Sequence, residues 1–503
     1  MAEHSSDIYD LLVIGGGING AGIARDAAGR GLSVVLCEMG DLASATSSAS
    51  SKMIHGGLRY LEQYEFRLVA EALAEREVLL NCAPHIVRPM RFVMPHVREL
   101  RPAWMIRAGL WLYDHLGRRR RLPGSHGVDL QHSAYGGGLK PEFRKGFVYS
   151  DCLVDDARLV VLNARGAADL GARILTRTRC VAAQRLEGQW RARLHDEATG
   201  SESDVTARAI VDASGPWVKK TLTETLGLAT RFNVKLVQGS HIVVPRLYDG
   251  DHAFILQNDD RRVIFVYPYE DDYTLIGTTD VELPGGPRPC SATVTEIEYL
   301  CRAVDRYLGK PVTPADVAWT YCGVRPLFDD GSDNPSKVTR DYVLHVDGGA
   351  HDVPVLSVFG GKITTYRKLA EHALQKLASW FPQMKKPWTG QTALPGGDVP
   401  GADIERYIET LKSRHAALPG ELLARLAHRH GTLCDKLLVD VRDIDDLGQP
   451  FGAALYAREI DWFIEREWAR SAEDVLWRRT KAGLHLTAQQ QRDVADYVTA
   501  RCG

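Results

Sequence analysis

The residues Gly15-Gly16-Gly17-Ile18-Asn19-Gly20 set glycines at 15, 17 and 20, a G-x-G-x-x-G array. Alone such an array is a weak signal, and its surroundings decide its meaning. Residues 11–14 before it are a continuous apolar run, as expected of a strand buried on both faces of a parallel sheet. Residues 21–29 after it are Ala-rich and suit a helix packed close to that sheet, and residues 33–37 read as a second buried strand. In that order the array can hold a pyrophosphate. Gly15 permits the tight turn, Gly17 lets the backbone approach the phosphates, and Gly20 lets helix and strand pack closely. The helix N-terminus supplies unpaired N–H groups and partial positive charge. Asn19, inside the array, belongs to the expected cofactor-binding set. Glu38, ending the second strand, suits ribose hydroxyls and would repel a 2′-phosphate, which disfavours NADP.

FAD and NAD share this fingerprint, so later segments must separate them. Residues 211–217 (Val-Asp-Ala-Ser-Gly-Pro-Trp) read as a strand ending in a small-residue turn, with Ser214 and Gly215 available to a cofactor. Residues 358–365 read as a strand, a glycine pair and a helix start, bringing Gly361, Ile363 and Thr364 into play. A helix N-terminus aimed at a flavin favours its reduced, anionic form. Either segment alone is an ordinary turn; together, behind a dinucleotide fold, they favour FAD. The hydroxyl run at 46–51, with Thr46, Ser47 and Ser51, suits flavin phosphate, and Lys52 is expected near the flavin. His55, Gly56 and Gly57 follow and are grouped with it.

The elements that must position these residues fit a multidomain chain. At 503 residues, two to four domains are expected. The composition, 45% hydrophobic and 25% charged, is that of a globular protein with a large core. A formal charge of −2 argues against bulk attraction to nucleic acid. The nine cysteines form no C-x-x-C pair, so no zinc or dithiol motif is expected. The first residues carry no basic, signal-like region, and no apolar run approaches the ~20 residues of a membrane span. These features favour a reducing, cytosolic compartment. Strands are expected at 146–149, 174–178, 210–213, 241–244, 263–267, 273–277 and 355–359, and a long amphipathic helix at 365–379. We read an α/β fold: a Rossmann-type FAD-binding domain interleaved over 1–390 with a largely antiparallel substrate domain (roughly 85–150 and 230–345). The Pro/Gly-rich stretch 386–401 reads as a linker, and 391–503 as an all-α domain with helices near 421–431, 453–467 and 472–479.

Four segments carry a family resemblance: 14–24, 45–61 (Ala-Thr-Ser-Ser-Ala-Ser-Ser-Lys-Met-Ile-His-Gly-Gly-Leu-Arg-Tyr-Leu), 323–326 (Gly-Val-Arg-Pro) and 359–369 (Phe-Gly-Gly-Lys-Ile-Thr-Thr-Tyr-Arg-Lys-Leu). They resemble the FAD-dependent, quinone-linked (aerobic) glycerol-3-phosphate dehydrogenases along nearly the whole chain. The resemblance implies the fold of the D-amino-acid-oxidase type of flavoprotein and non-covalent FAD. It also implies a peripheral membrane enzyme, often dimeric, that reduces a membrane quinone.

On that reading the substrate is a small phosphorylated secondary alcohol, glycerol 3-phosphate. Arg meets phosphate oxygens as a bidentate fork and Lys as a point charge. Arg59, Tyr60, Arg340 and Lys362 are the expected phosphate ligands, and Arg325 the contact to the glycerol oxygens. Oxidation at C2 also needs a base, for which His is the commonest choice. His241 is the candidate and His55 the competitor. Residues 101–121 mix Trp104, Ile106, Leu110, Trp111 and Tyr113 with Arg101, Arg107 and Arg118 to Arg121, as an interfacial helix on anionic lipid does. The location expected is therefore cytoplasmic, peripheral to the inner face of the cell membrane. The nearest competing activity is a glycerol-3-phosphate oxidase that uses oxygen. An amino-acid oxidase and a non-catalytic flavin-binding scaffold stand further off.

Overall fold

Ile8–Ile14 (β1), Ile18–Gly29 (α1) and Val34–Cys37 (β2) form the expected βαβ unit, with β1 and β2 parallel. The computed structural model describes residues 8–97, 102–117, 121–260, 262–329, 341–349 and 352–503. Both strands are fully apolar in their buried stretches, and α1 buries Ala21, Ile23, Ala24 and Ala27 against them. The first sheet runs Val343–Asp347, Val355–Phe359, Glu202–Asp212, β1, β2, Arg173–Leu175. All neighbours along this path are parallel except the first pair. A mostly parallel sheet must be covered on both faces. Helices Asp156–Asp169 and Tyr366–Leu377 pack with α1 on one face.

The second sheet is largely antiparallel. Near one edge lies the long strand Val234–Pro245, paired on one side with Tyr273–Gly277 and on the other with Trp319–Phe328. Val87–Pro95 and Lys145–Val154 extend the sheet toward the short strand Met53–Ile54. Val343–Asp347, within the span expected for the substrate part, instead pairs with Val355–Phe359 of the first sheet. Residues 174–178 also differ from expectation: the strand Arg173–Leu175 stops, Arg177 takes a positive φ of 52°, and Thr178–Leu186 begins a new strand.

Residues 386–401 are not a free spacer. The Trp388 indole N–H donates to Asp26 O at 3.2 Å, Arg25 lies 4.9 Å over the Trp388 ring, and Leu394 N–H donates to Cys82 O at 2.8 Å. Pro and Gly here make a strap that follows the surface of the first domain. In the C-terminal domain, Gly420–His430 and Ala457–Arg466 are α-helices, but 453–456 is not helical. Ala453 and Ala454 have positive φ and join the two-stranded ribbon Pro450–Gly452/Leu455–Tyr456. Buried ion pairs fasten this domain to the first, among them Arg158 with Glu467, whose side chains are 0% and 1% exposed.

The aromatic-basic segment is the helix Ala103–Leu116. Leu110 and Tyr113 face the core, while Trp104, Met105 and Trp111 point outward at 71%, 47% and 57% exposure. Arg107 donates to Ser125 O and Arg121 to Ala402 O, so both guanidiniums are engaged with protein. Arg101 and Arg118 to Arg120 lie outside the described residues. No described helix is long and apolar enough to cross a membrane.

Candidate active site

A cavity of about 1260 Å³ opens at the carboxyl ends of the first sheet's strands, where ligands bind in open α/β sheets. Gly15, Gly17, Asn19, Glu38, Thr46, Ser47, Ser214, Gly215 and Gly361 line it. Its volume exceeds the ~300–1,000 Å³ of typical ligand pockets, leaving room for a dinucleotide. Gly15 has φ +110°, and a Cβ there would fall 2.6 Å from Ala213 O. A Cβ on Gly20 would fall 1.9 Å from Gly15 O. The array therefore lets the turn after β1 pack against residues 213–214 and holds α1 tight on that turn.

Most polar groups around the array are engaged with the backbone. Glu38 accepts from Gly16 N–H at 2.6 Å and Gly40 N–H at 2.8 Å. Burial raises its pKa, and the two N–H donors oppose that shift. Ser47 Oγ accepts from Ile18 N–H at 3.0 Å, at the N-terminus of α1. Asn19 donates to Gly360 O at 3.2 Å, while its Oδ1 is buried with no partner among the described residues. A buried orphan acceptor in a cavity wall marks a place for a ligand donor. Ser214 Oγ donates to Asp212 Oδ1 at 2.5 Å, and burial pushes the Asp212 carboxyl up to about 7. Thr46 Oγ1 donates to Val324 O at 2.6 Å, joining the hydroxyl run to the substrate sheet. The cavity size, the open glycine turn and the orphan Asn19 oxygen fit FAD.

His241, Arg325, Ser51 and Lys52 gather beside this cavity through the register of the second sheet. His241 stands opposite Gly277 on one side and Tyr321 on the other. A Cβ on Gly277 would lie 2.0 Å from the imidazole, and one on Gly239 would lie 2.1 Å from Arg325 Nη2. These glycines make the space that the two side chains fill. His241 Nε2 hydrogen-bonds Ser51 Oγ at 2.9 Å, and its Nδ1 is buried without a partner among the described residues. Burial, then repulsion from Arg325 and Lys52, hold its pKa well below the usual histidine value. Its imidazole is therefore neutral near pH 7. Arg325 pairs with Asp280 and donates to Thr278 Oγ1 at 2.9 Å. Lys52 turns to Asp156 Oδ1 at 2.7 Å and Ser48 O at 2.8 Å, which holds the hydroxyl run in its conformation.

Of the expected phosphate ligands, Lys362 and Tyr60 meet each other. Lys362 Nζ sits 3.8 Å over the Tyr60 ring. Arg59 is half-buried in the turn Leu58–Gln63, with no hydrogen bond or ion pair among the described residues. Arg340 lies outside the described residues. His55 N–H donates to Thr364 Oγ1 at 3.3 Å, joining the two cofactor segments, and burial lowers the His55 pKa. Gly56 N–H donates to Tyr113 OH at 2.8 Å, and Tyr113 donates to Asp151 at 2.7 Å. The helix with the outward tryptophans thus also fixes the loop ahead of Arg59. Gly57 takes φ +76° at the start of that turn. Gly361, at φ +101°, and Ile363 begin the short turn Ile363–Thr365 that leads into Tyr366–Leu377.

The model of the FAD dependent oxidoreductase family matches residues 10–367. This chain belongs to that family. The model of the C-terminal domain of alpha-glycerophosphate oxidase matches residues 388–503. Over 493 residues the chain is 54% identical to a glycerol-3-phosphate dehydrogenase of Pseudomonas aeruginosa, covering 98% of this chain and 95% of that one. It is 51% identical over 493 residues to a D-erythritol 1-phosphate dehydrogenase of Brucella abortus, covering 98% and 97%. In fold it resembles the glycerol-3-phosphate dehydrogenase of Bacillus halodurans complexed with FAD, with a TM-score of 0.75 at 24% identity over 99% of this chain and 95% of that one. FAD is the cofactor of the family to which the chain belongs, and the D-amino-acid-oxidase type of fold is the one observed.

Sequence reasoning missed several groups at the site. Asp280 follows a run of threonines and carries no motif that would single it out. Asp156 and Tyr321 are far in sequence from Lys52 and His241, and only sheet pairing and helix packing bring them together. Cys290 and Cys322, both on the cavity wall, are joined by a disulfide with Cα atoms 6.0 Å apart. Their separation of 32 residues offered no pattern to read.

Proposed function

We propose that this flavoprotein oxidises sn-glycerol 3-phosphate to dihydroxyacetone phosphate by hydride transfer to FAD and passes the electrons to a membrane quinone. The observation that carries the reading is the juxtaposition of a neutral, buried His241 with Arg325, His241 stacking on Tyr321 of the cofactor cavity wall, while Lys362, over the Tyr60 ring, directly follows Gly361 of that wall. Relatives that match the whole length act on phosphorylated polyols by name. FAD, when bound, supplies the acceptor for two electrons.

The protein's part is to bind, orient and take a proton. Arg59, Tyr60, Lys362 and Arg340 hold the phosphate. Each charged hydrogen bond contributes roughly 1.5–3 kcal/mol, so two or three select the ester over free glycerol. Arg325, aimed by Asp280 and Thr278, contacts the C2 hydroxyl and stabilises its oxygen as the proton leaves. His241 receives that proton. The outward Trp104, Met105 and Trp111 support seating on the inner face of the cell membrane, where the quinone resides. Assembly as a homodimer belongs to the same reading.

Anaerobic addition of glycerol 3-phosphate to the purified protein tests it: the flavin should bleach, and a short-chain quinone added afterwards should restore its colour. Peroxide release in air with no quinone reduction would favour the oxidase. Bleaching by D-erythritol 1-phosphate in preference to glycerol 3-phosphate would move the substrate to that of the Brucella relative. A flavin that neither ester bleaches would sink the reading.

A further inference from the structure

Nothing in the chemistry above involves the C-terminal domain, yet that domain reaches the cofactor cavity. Its turn Asp474–Arg479 is π-helical, a rare geometry that concentrates at functional sites. From this turn Trp477 and Arg478 form part of the cavity wall. The Trp477 ring lies on Trp319, with centroids 4.5 Å apart and planes 18° apart. Trp319 leans on Tyr321 at 5.1 Å, and Tyr321 lies on His241 at 4.6 Å. A continuous run of rings therefore joins the C-terminal domain to the candidate base.

A second, independent set of contacts ties the same turn to the nucleotide end of the cavity. Arg479 donates to both carboxylate oxygens of Asp41 at 2.6 and 2.7 Å, and Arg478 Nε donates to Asp41 Oδ2 at 2.6 Å. Arg177 donates to Asp474 Oδ2 at 2.6 Å. Asp41 lies in the loop that follows Glu38, and Arg177 directly precedes Thr178 of the cavity wall. Asp41, Asp474 and Arg479 are at most 1% exposed at their side chains. Both carboxylates, Asp41 and Asp474, have every oxygen hydrogen-bonded within this buried cluster, and such a cluster fixes geometry more than it adds stability. Here it holds Trp477 against the cavity from outside the FAD-binding domain.

We propose that the C-terminal domain is a structural part of the FAD site, and that Trp477 is a cofactor-retaining residue. Its ring closes the cavity and steadies the Trp319–Tyr321–His241 stack. The inference rests on FAD being the cofactor, and on no particular substrate. The experiment is titration of full-length apoprotein with FAD, read by flavin fluorescence, for wild type, W477L and W477F. Leucine removes the ring, and phenylalanine keeps a smaller one. Losing an aromatic contact of this kind should raise the dissociation constant about tenfold in W477L and about two- to threefold in W477F. The unfolding midpoint of each apoprotein is the control. Weakened binding with an unmoved midpoint supports the proposal. Wild-type affinity in W477L overturns it, and so does a loss of affinity that merely follows a fallen midpoint. Should W477L not fold, W477F carries the test, and an unchanged dissociation constant there overturns the proposal. Wild-type apoprotein that takes up no FAD would instead refute the cofactor itself.

Discussion

The imidazole of His241 lies ring on ring with Tyr321, centroids 4.6 Å apart and planes only 8° apart. Stacking on one side and the Ser51 hydroxyl at Nε2 leave the ring one orientation, so its buried Nδ1 is held toward a fixed direction. A positioned base contributes about 10²–10⁴-fold. His241→Ala should slow single-turnover flavin reduction by that order while leaving flavin content unchanged. A near-normal rate in stopped-flow absorbance would transfer the base to another group. Because burial and two cations depress its pKa, no acid limb from His241 should appear near 6.5 in that rate.

Asp280 should matter through Arg325. Their ion pair, with Thr278 as second partner, sets the direction of the guanidinium. Asp280→Asn keeps the shape and removes the charge, at a cost of about 1.5–3 kcal/mol for a charged hydrogen bond. We expect kcat to fall about tenfold or more with a smaller change in KM. Steady-state kinetics showing the opposite split would place Arg325 in ground-state binding only.

Lys362 over the Tyr60 ring presents a cation beside the turn that carries Arg59. Lys362→Met should raise KM for the phosphate ester about tenfold or more, by the same magnitude for a charged contact. Rescue by Lys362→Arg should be incomplete, since a planar fork cannot occupy a point-charge site in the same way. An unchanged KM in Lys362→Met would remove this residue from the phosphate site.

His85 links acid to unfolding. Its two ring nitrogens are buried without partners among the described residues. Burial, then the positive Arg158, hold its pKa down at about 3. In the unfolded chain it returns to about 6.5, so below that pH the unfolded state binds a proton the folded state refuses. Stability should therefore fall as pH drops from about 6.5 toward 3, by roughly 1.4 kcal/mol per unit for this group, and be indifferent to it above 6.5. Urea midpoints at pH 7 and pH 5 measure the slope. His85→Leu should reduce it by this group's share, and an unaltered slope would mean that His85 contributes nothing to it.

The chain's own order of residues determined a good deal. The apolar run, glycine array and acidic strand end specify a dinucleotide site, because the positive φ of Gly15 and the close approach of Gly20 to Gly15 O are local demands of the backbone. The strand Tyr273–Gly277 and the helix at Tyr366–Leu377 were equally legible, since periodicity is a local property. What tertiary structure alone decided is which distant groups meet. The partner of Lys52 was one such meeting: its ammonium is drawn to Asp156, because a buried cation must be paired. The Pro/Gly stretch read as a linker became a strap, since Trp388 seats on α1 against Gly29, under the Arg25 guanidinium and donating to Asp26 O. Asp280 reached Arg325, Tyr321 reached His241, and Trp477 reached Trp319 through strand register and domain docking. Such contacts depend on distances between segments far apart in the chain, and no local pattern encodes them.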